Sequence, residues 1–123
     1  MSLTYPALFA DGNEFSEILG EATQIALQVA AVRHAFADGM LADAWQLAWA
    51  LEPRLTETGR WQEVLVTQKV ALAAAVRLGD WLLEGRTRLS LGRVCLELGD
   101  IRRAGHQLAE GTLILRALGV PVT

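Results

Sequence analysis

The sequence predicts an all-α fold: antiparallel helix–turn–helix repeats stacked into a superhelical solenoid of about five helices. Three observations predict it. Glycine recurs at Gly39, Gly59, Gly79, Gly99 and Gly119, each twenty residues after the last. The segments between are rich in alanine and leucine, with apolar residues at helical spacing. Prolines number three, Pro6, Pro53 and Pro121, and two lie near the ends where they interrupt nothing. One helix per period and a helical pair per two periods is solenoid spacing, in which each pair buries its apolar faces against its neighbours.

Residues 1–14 read as an N-terminal extension and 15–123 as the repeat domain. The first helix is expected over Phe15–Asp38; Gly20 is off the period, so the helix begins or bends there. The second spans Leu41–Thr58 and contains Pro53, whose ring opposes the carbonyl of Trp49 four residues earlier and removes a hydrogen bond to it. A kink is expected at that point. The third covers Trp61–Leu78, the fourth Leu82–Leu98 and the fifth Arg102–Leu118. Each periodic glycine sits just past a helix end, where it takes a left-handed conformation without a Cβ clash. Asp80 and Asp100 stand where N-caps belong. Short links make neighbouring helices antiparallel. Gly85, Gly92, Gly105 and Gly111 fall inside helices. Each weakens its helix by ~1 kcal/mol relative to alanine, and in repeat proteins such glycines let helices approach closely.

The bulk composition excludes several functions. With 123 residues the chain forms one domain, and a 52% apolar content supplies a core. The formal charge is -3 with no basic block, so direct nucleic-acid binding is not expected. Cys95 is the single cysteine, which excludes an internal disulfide and fits a reducing, cytoplasmic compartment. No secretory leader is visible in Met1 to Gly20. The most apolar stretch, Ala22 to Val32, is too short to span a bilayer, so no membrane partner is expected.

The fourth and fifth segments align with the tetratricopeptide pattern. Leu91-Gly92 matches its Leu-Gly, Gly99-Asp100 its turn and Ala104 the small residue of the second helix. Cys95 stands where tyrosine is usual and Arg88 where tryptophan is usual. The preceding pair fits more loosely: Gly59 and Ala71 agree, while Val64 replaces alanine and Glu52 replaces glycine. The runs Val29-Ala30-Ala31-Val32-Arg33, Asp43-Ala44-Trp45-Gln46-Leu47-Ala48-Trp49-Ala50-Leu51 and Gly59-Arg60-Trp61 extend the likeness. So do Thr67-Gln68, Ala71-Leu72-Ala73-Ala74-Ala75, Arg77-Leu78-Gly79-Asp80 and Leu91-Gly92-Arg93. Together they resemble the tetratricopeptide region of SARP/AfsR-like bacterial transcriptional regulators and related signal-transducing NTPases, over about residues 21 to 119. There the repeats follow a nucleotide switch and are thought to sense a ligand or partner. The present chain has no GxxxxGK[ST] phosphate loop and no winged-helix-sized segment. The resemblance therefore implies an excised or stand-alone sensor module, and it carries no catalytic residue or cofactor over.

His34 with Asp38 and His106 with Glu110 are four-residue helical pairs, better read as solvated contacts than as metal ligands. Cys95, among Leu91, Val94 and Leu98, reads as a buried small hydrophobe. On the second helix Leu41, Ala44, Ala48, Leu51 and Leu55 form the buried stripe, with Trp45 at its margin. Trp49 lies about 100° from the stripe centre, an edge position that suits either packing on a neighbour or contact with a partner. Helix four is apolar on two sides, one of Leu91, Val94, Cys95 and Leu98, the other of Leu82, Leu89 and Leu96 flanked by Arg86 and Arg93.

The repeat pattern implies an inner groove at Arg86, Leu89, Arg93 and Leu96, facing Gln46, Trp49, Pro53 and Thr56: an apolar floor with an arginine rim. Such a groove suits an amphipathic helix or extended peptide carrying acids. The duller role for Arg93 is a surface pair with Glu97, worth ~0.3–0.5 kcal/mol. Leu89 stands where a carboxylate clamp would need a basic residue, so binding of chaperone C-termini is not expected.

The expected function is a non-catalytic protein- or ligand-binding module. No nucleophile–base pair, phosphate loop, paired carboxylates, metal set or cofactor motif is found. The alternative is a homodimerisation unit using end-helix faces. Those faces are Ile25, Leu27, Val29, Val32 and Phe36 at one end, and Leu108, Leu113, Ile114, Leu115 and Leu118 at the other.

Overall fold

The computed structural model describes residues 14–122, with side chains over 20–122. It contains five helices, and no strand occurs among the described residues: α1 Glu14–Ala37, α2 Leu41–Glu57, α3 Trp61–Leu78, α4 Trp81–Glu97 and α5 Ile101–Ala117. Every boundary lies within one residue of the expected position. The expected extension, 1–14, lies outside the described residues apart from Glu14, which opens α1.

The turns are chemically uniform. All five periodic glycines have φ between 69° and 80°. At Gly79 (φ 69°, ψ 25°) the chain enters the left-handed region. The Gly79 N–H donates to the Val76 carbonyl and the Asp80 N–H to the Ala75 carbonyl, both at 3.1 Å. This pair of bonds satisfies carbonyls that the helix end leaves free. The same pair recurs after every helix, ending with Gly119 to Arg116 and Val120 to Leu115. As expected, Asp80 and Asp100 cap the helices that follow, accepting from Leu83 N at 3.0 Å and Arg103 N at 3.2 Å. Gly20 (φ 78°, ψ 164°) breaks α1 in a backbone region open essentially to glycine alone. The α2 helix, by contrast, runs unbroken through Pro53.

Facing residues show the antiparallel pairing. Between α2 and α3, the Gln68 amide donates to the Ala48 carbonyl at 3.3 Å, burying both. Between α4 and α5, Gly92 faces Leu108, Leu89 faces Gly111 and Gly85 faces Leu115, in opposite chain order. α3 packs against α1, α2 and α4, whereas α5 packs on α4 alone. The central core joins Ile25 and Val32 of α1, Ala48, Leu51 and Leu55 of α2, Val64, Ala71, Ala74 and Ala75 of α3, and Leu91 and Val94 of α4. Arg77 lies over the Phe36 ring, 4.6 Å from its centroid, and ties α3 to α1.

The α4–α5 contact is the tightest. A Cβ on Gly92 would stand 2.5 Å from Leu108, and one on Gly111 would stand 2.9 Å from the Gly85 carbonyl oxygen. Helices approach this closely only where side chains are missing. Arg88 adds a polar tie, donating to Glu84 Oε2 at 3.0 Å and to Gln107 Oε1 of α5 at 2.9 Å.

Candidate functional site

α2 and α4 are the first helices of the two complete pairs, and both pack against α3. Their upper contact is polar and buried. Trp45 Nε1 donates to Thr87 Oγ1 at 2.8 Å, and that hydroxyl donates to the Leu83 carbonyl at 2.7 Å. Trp45 is thus a core residue, 7% exposed, rather than a marginal one. Trp49 stacks on it, with ring centroids 5.0 Å apart and planes inclined by 15°. Trp45 is held by Thr87, so it fixes the outer indole, and Trp49 stays 40% exposed, as its edge position predicted.

Below the stacked indoles a cleft of about 260 Å³ opens between α2, the start of α3 and α4. Glu52 and Thr56 line it from α2, Trp61 and Val64 from α3, and Ser90, Arg93, Leu96 and Glu97 from α4. Thr56 donates to Glu52 at 3.1 Å, which orients that carboxylate. Ser90 is buried and its hydroxyl has no hydrogen-bond partner. A buried hydroxyl without a partner costs about 1–3 kcal/mol.

Of the expected groove residues, the structure brings Arg93 and Leu96 together with Thr56. Leu96 is 47% exposed, and Arg93 forms no ion pair among the described residues, so its duller role as a partner of Glu97 is not seen. Arg86 is exposed one helical turn above Ser90, on the same face. Leu89 does not reach the groove. It is 7% exposed and its side chain lies against Gly111 of α5, so the apolar floor falls instead to Val64, Val94 and Trp61. Gln46 is exposed in a separate shallow depression between α1 and α2, with Met40, Asp43 and Leu47.

Sequence reasoning missed Glu52, Trp61, Ser90 and Glu97. The helical spacing of 86, 90, 93 and 97 could have found two of them, because those positions share one face of α4. Trp61 had no such signal: only the tight reversal at Gly59 carries it to the cleft. The two acids change the rim from purely cationic to mixed.

Cys95 is buried, and burial together with nearby Asp100 pushes its thiol above the ordinary range, against the opposing pull of Arg103 and Lys69. No grouping of three or more metal-ligating side chains occurs among the described residues. Neither histidine pairs with its carboxylate among them. No described helix is long and apolar enough to cross a membrane. No family model, curated protein or solved structure matches this chain.

Proposed function

We propose that this chain is a tetratricopeptide-like binding module without chemistry of its own, which holds a polypeptide segment in the cleft between α2 and α4. The observation that carries the reading is the unpartnered Ser90 hydroxyl, buried in the wall of an apolar cleft between exposed Leu96 and Arg93. Buried polar groups in folded proteins are almost always bonded. A shift of the side chains over Ser90 would open this hydroxyl to a backbone carbonyl of a bound segment, while an apolar side chain covers Trp61 and Val94 and an acid meets Arg93. The stacked Trp45–Trp49 pair supplies a rigid aromatic shelf at the upper end.

A library of short random peptides displayed on phage and panned against the folded chain tests the reading. Enriched peptides should bind with saturable heats and lose about tenfold or more in affinity on Trp49→Ala or Arg93→Glu, a loss of ~1.4 kcal/mol or more. Helicity should be unchanged in both variants. Peptides that bind both variants as well as the parent remove the cleft from consideration. The placement of the module in a bacterial transcriptional regulator rests on the sequence resemblance. A phosphate loop encoded just upstream would support it.

A second reading, homodimerisation, is favoured by one observation. Trp81, Leu113 and Leu118 are 60%, 66% and 46% exposed and lie together with Ile114 and Ala117 around a shallow apolar depression. Sedimentation equilibrium separates the readings: a monomer at high concentration eliminates the dimer.

A further inference from the structure

A larger cavity lies on the opposite side of the molecule from the α2–α4 cleft. α5 is drawn tightly onto α4 by Gly85, Gly92 and Gly111, and it does not close on α3. The gap is a cleft of about 740 Å³. Its floor is apolar: Leu65, Leu72 and Ala73 of α3, Leu91 and Cys95 of α4. Its remaining lining is Lys69 of α3 and Arg102, Arg103, His106 and Gln107 of α5. No acidic residue lines it, in a chain whose 14 acids outnumber its 11 lysines and arginines. The only lysine of the sequence is at this rim. Arg103 is shared with Asp100 at 3.5 Å, while Lys69, Arg102 and His106 form no ion pair among the described residues.

We propose that this cleft binds a small amphiphilic anion, an aliphatic or aromatic carboxylate whose apolar body lies on Leu65, Leu72 and Leu91 and whose head is held by Lys69 and Arg102. The volume falls in the range of small-molecule sites, about 300–1,000 Å³. The two halves of such a ligand match the two chemistries of the lining. Basic groups from α3 and α5 converge from opposite walls, and both keep an unused positive charge in a chain of net negative charge. A polypeptide is the poorer fit, because beyond its cations the lining offers a peptide backbone little but Gln107 and His106 to pair with.

Decanoate, titrated calorimetrically at low ionic strength and below its aggregation threshold, tests the proposal. One molecule should bind per chain. Octanoate, two methylenes shorter, should bind about fifteenfold more weakly, at about fourfold per methylene. Decyltrimethylammonium, with the same tail and the opposite charge, should bind at least about tenfold more weakly than decanoate. Lys69→Glu combined with Arg102→Glu, both exposed and free of structural bonds, should weaken decanoate by about tenfold or more with unchanged helicity. Equal binding of the two decyl compounds, or decanoate affinity unaffected by the double variant, would overturn the proposal. So would binding to phosphatidylglycerol vesicles without saturable binding of decanoate, which assigns the rim to a membrane surface instead.

Discussion

Two buried hydroxyls on α4 sit three residues apart and predict opposite outcomes when removed. Thr87 accepts from the Trp45 indole and donates to Leu83, so Thr87→Val strands a buried N–H. The expected loss is about 1–3 kcal/mol in urea unfolding, with the m-value unchanged. Ser90 has no partner to lose, so Ser90→Ala should leave stability unchanged or raise it while weakening peptide binding at the α2–α4 cleft. Cys95 sets a pH trend. Its thiol ionises less readily in the fold than in the unfolded chain, so its stabilising contribution is whole below the unfolded thiol's range and is lost as pH rises through and above it. Stability of Cys95→Ala should therefore vary less with pH on the alkaline side than that of the parent, measured as the urea midpoint. At this scale the sequence was a partial guide. The exposed edge of Trp49 followed from helical spacing alone, whereas the burial of Trp45 depended on a hydroxyl 42 residues away that no local pattern announces.

Among elements, α4 and α5 form the interface with the strictest steric demands. Gly111→Ala should cost about 1–3 kcal/mol, because the new methyl meets the backbone of Gly85 and Leu89 and forces the helices apart. Gly105 is also helical, but its Cβ would meet nothing within 4 Å. Gly105→Ala should therefore stabilise by about 1 kcal/mol through helix propensity. A thermal melt of each variant checks the pair, with opposite signs expected. The helix limits were readable to within a residue because glycine, aspartate caps and apolar period all gave one answer. Which internal glycines carry close contacts was not readable: Gly92, Gly105 and Gly111 look alike in sequence, and only the partner helix distinguishes them. The same limit misplaced Leu89, since a helix apolar on two sides does not reveal which side faces α5.

At the scale of the molecule the two clefts lie on opposite faces of the helical stack and share no lining side chain. Peptide binding and carboxylate binding should accordingly tolerate each other's disabling variants. Trp49→Ala should keep decanoate affinity within about twofold, and Lys69→Glu with Arg102→Glu should do the same for peptide. The all-α repeat architecture was legible from the glycine period. The larger cleft was not, because it exists only where α5 fails to meet α3, a relation between elements that are not adjacent in the chain. If the apolar end formed by Trp81, Leu113 and Leu118 pairs two copies, the sedimentation coefficient should depend on concentration, and Leu113→Glu should abolish that dependence.

The contacts between helices connect each one only with its nearest or next-nearest neighbour along the chain. Folding then requires no long loop to be closed before contacts begin to reward it, so collapse should take microseconds to milliseconds. It should also proceed in pieces. α4 and α5, bound by their glycines, should hold their amide hydrogens through excursions that free α1, and gentle force applied at the two ends should peel the stack open stepwise rather than burst it at once.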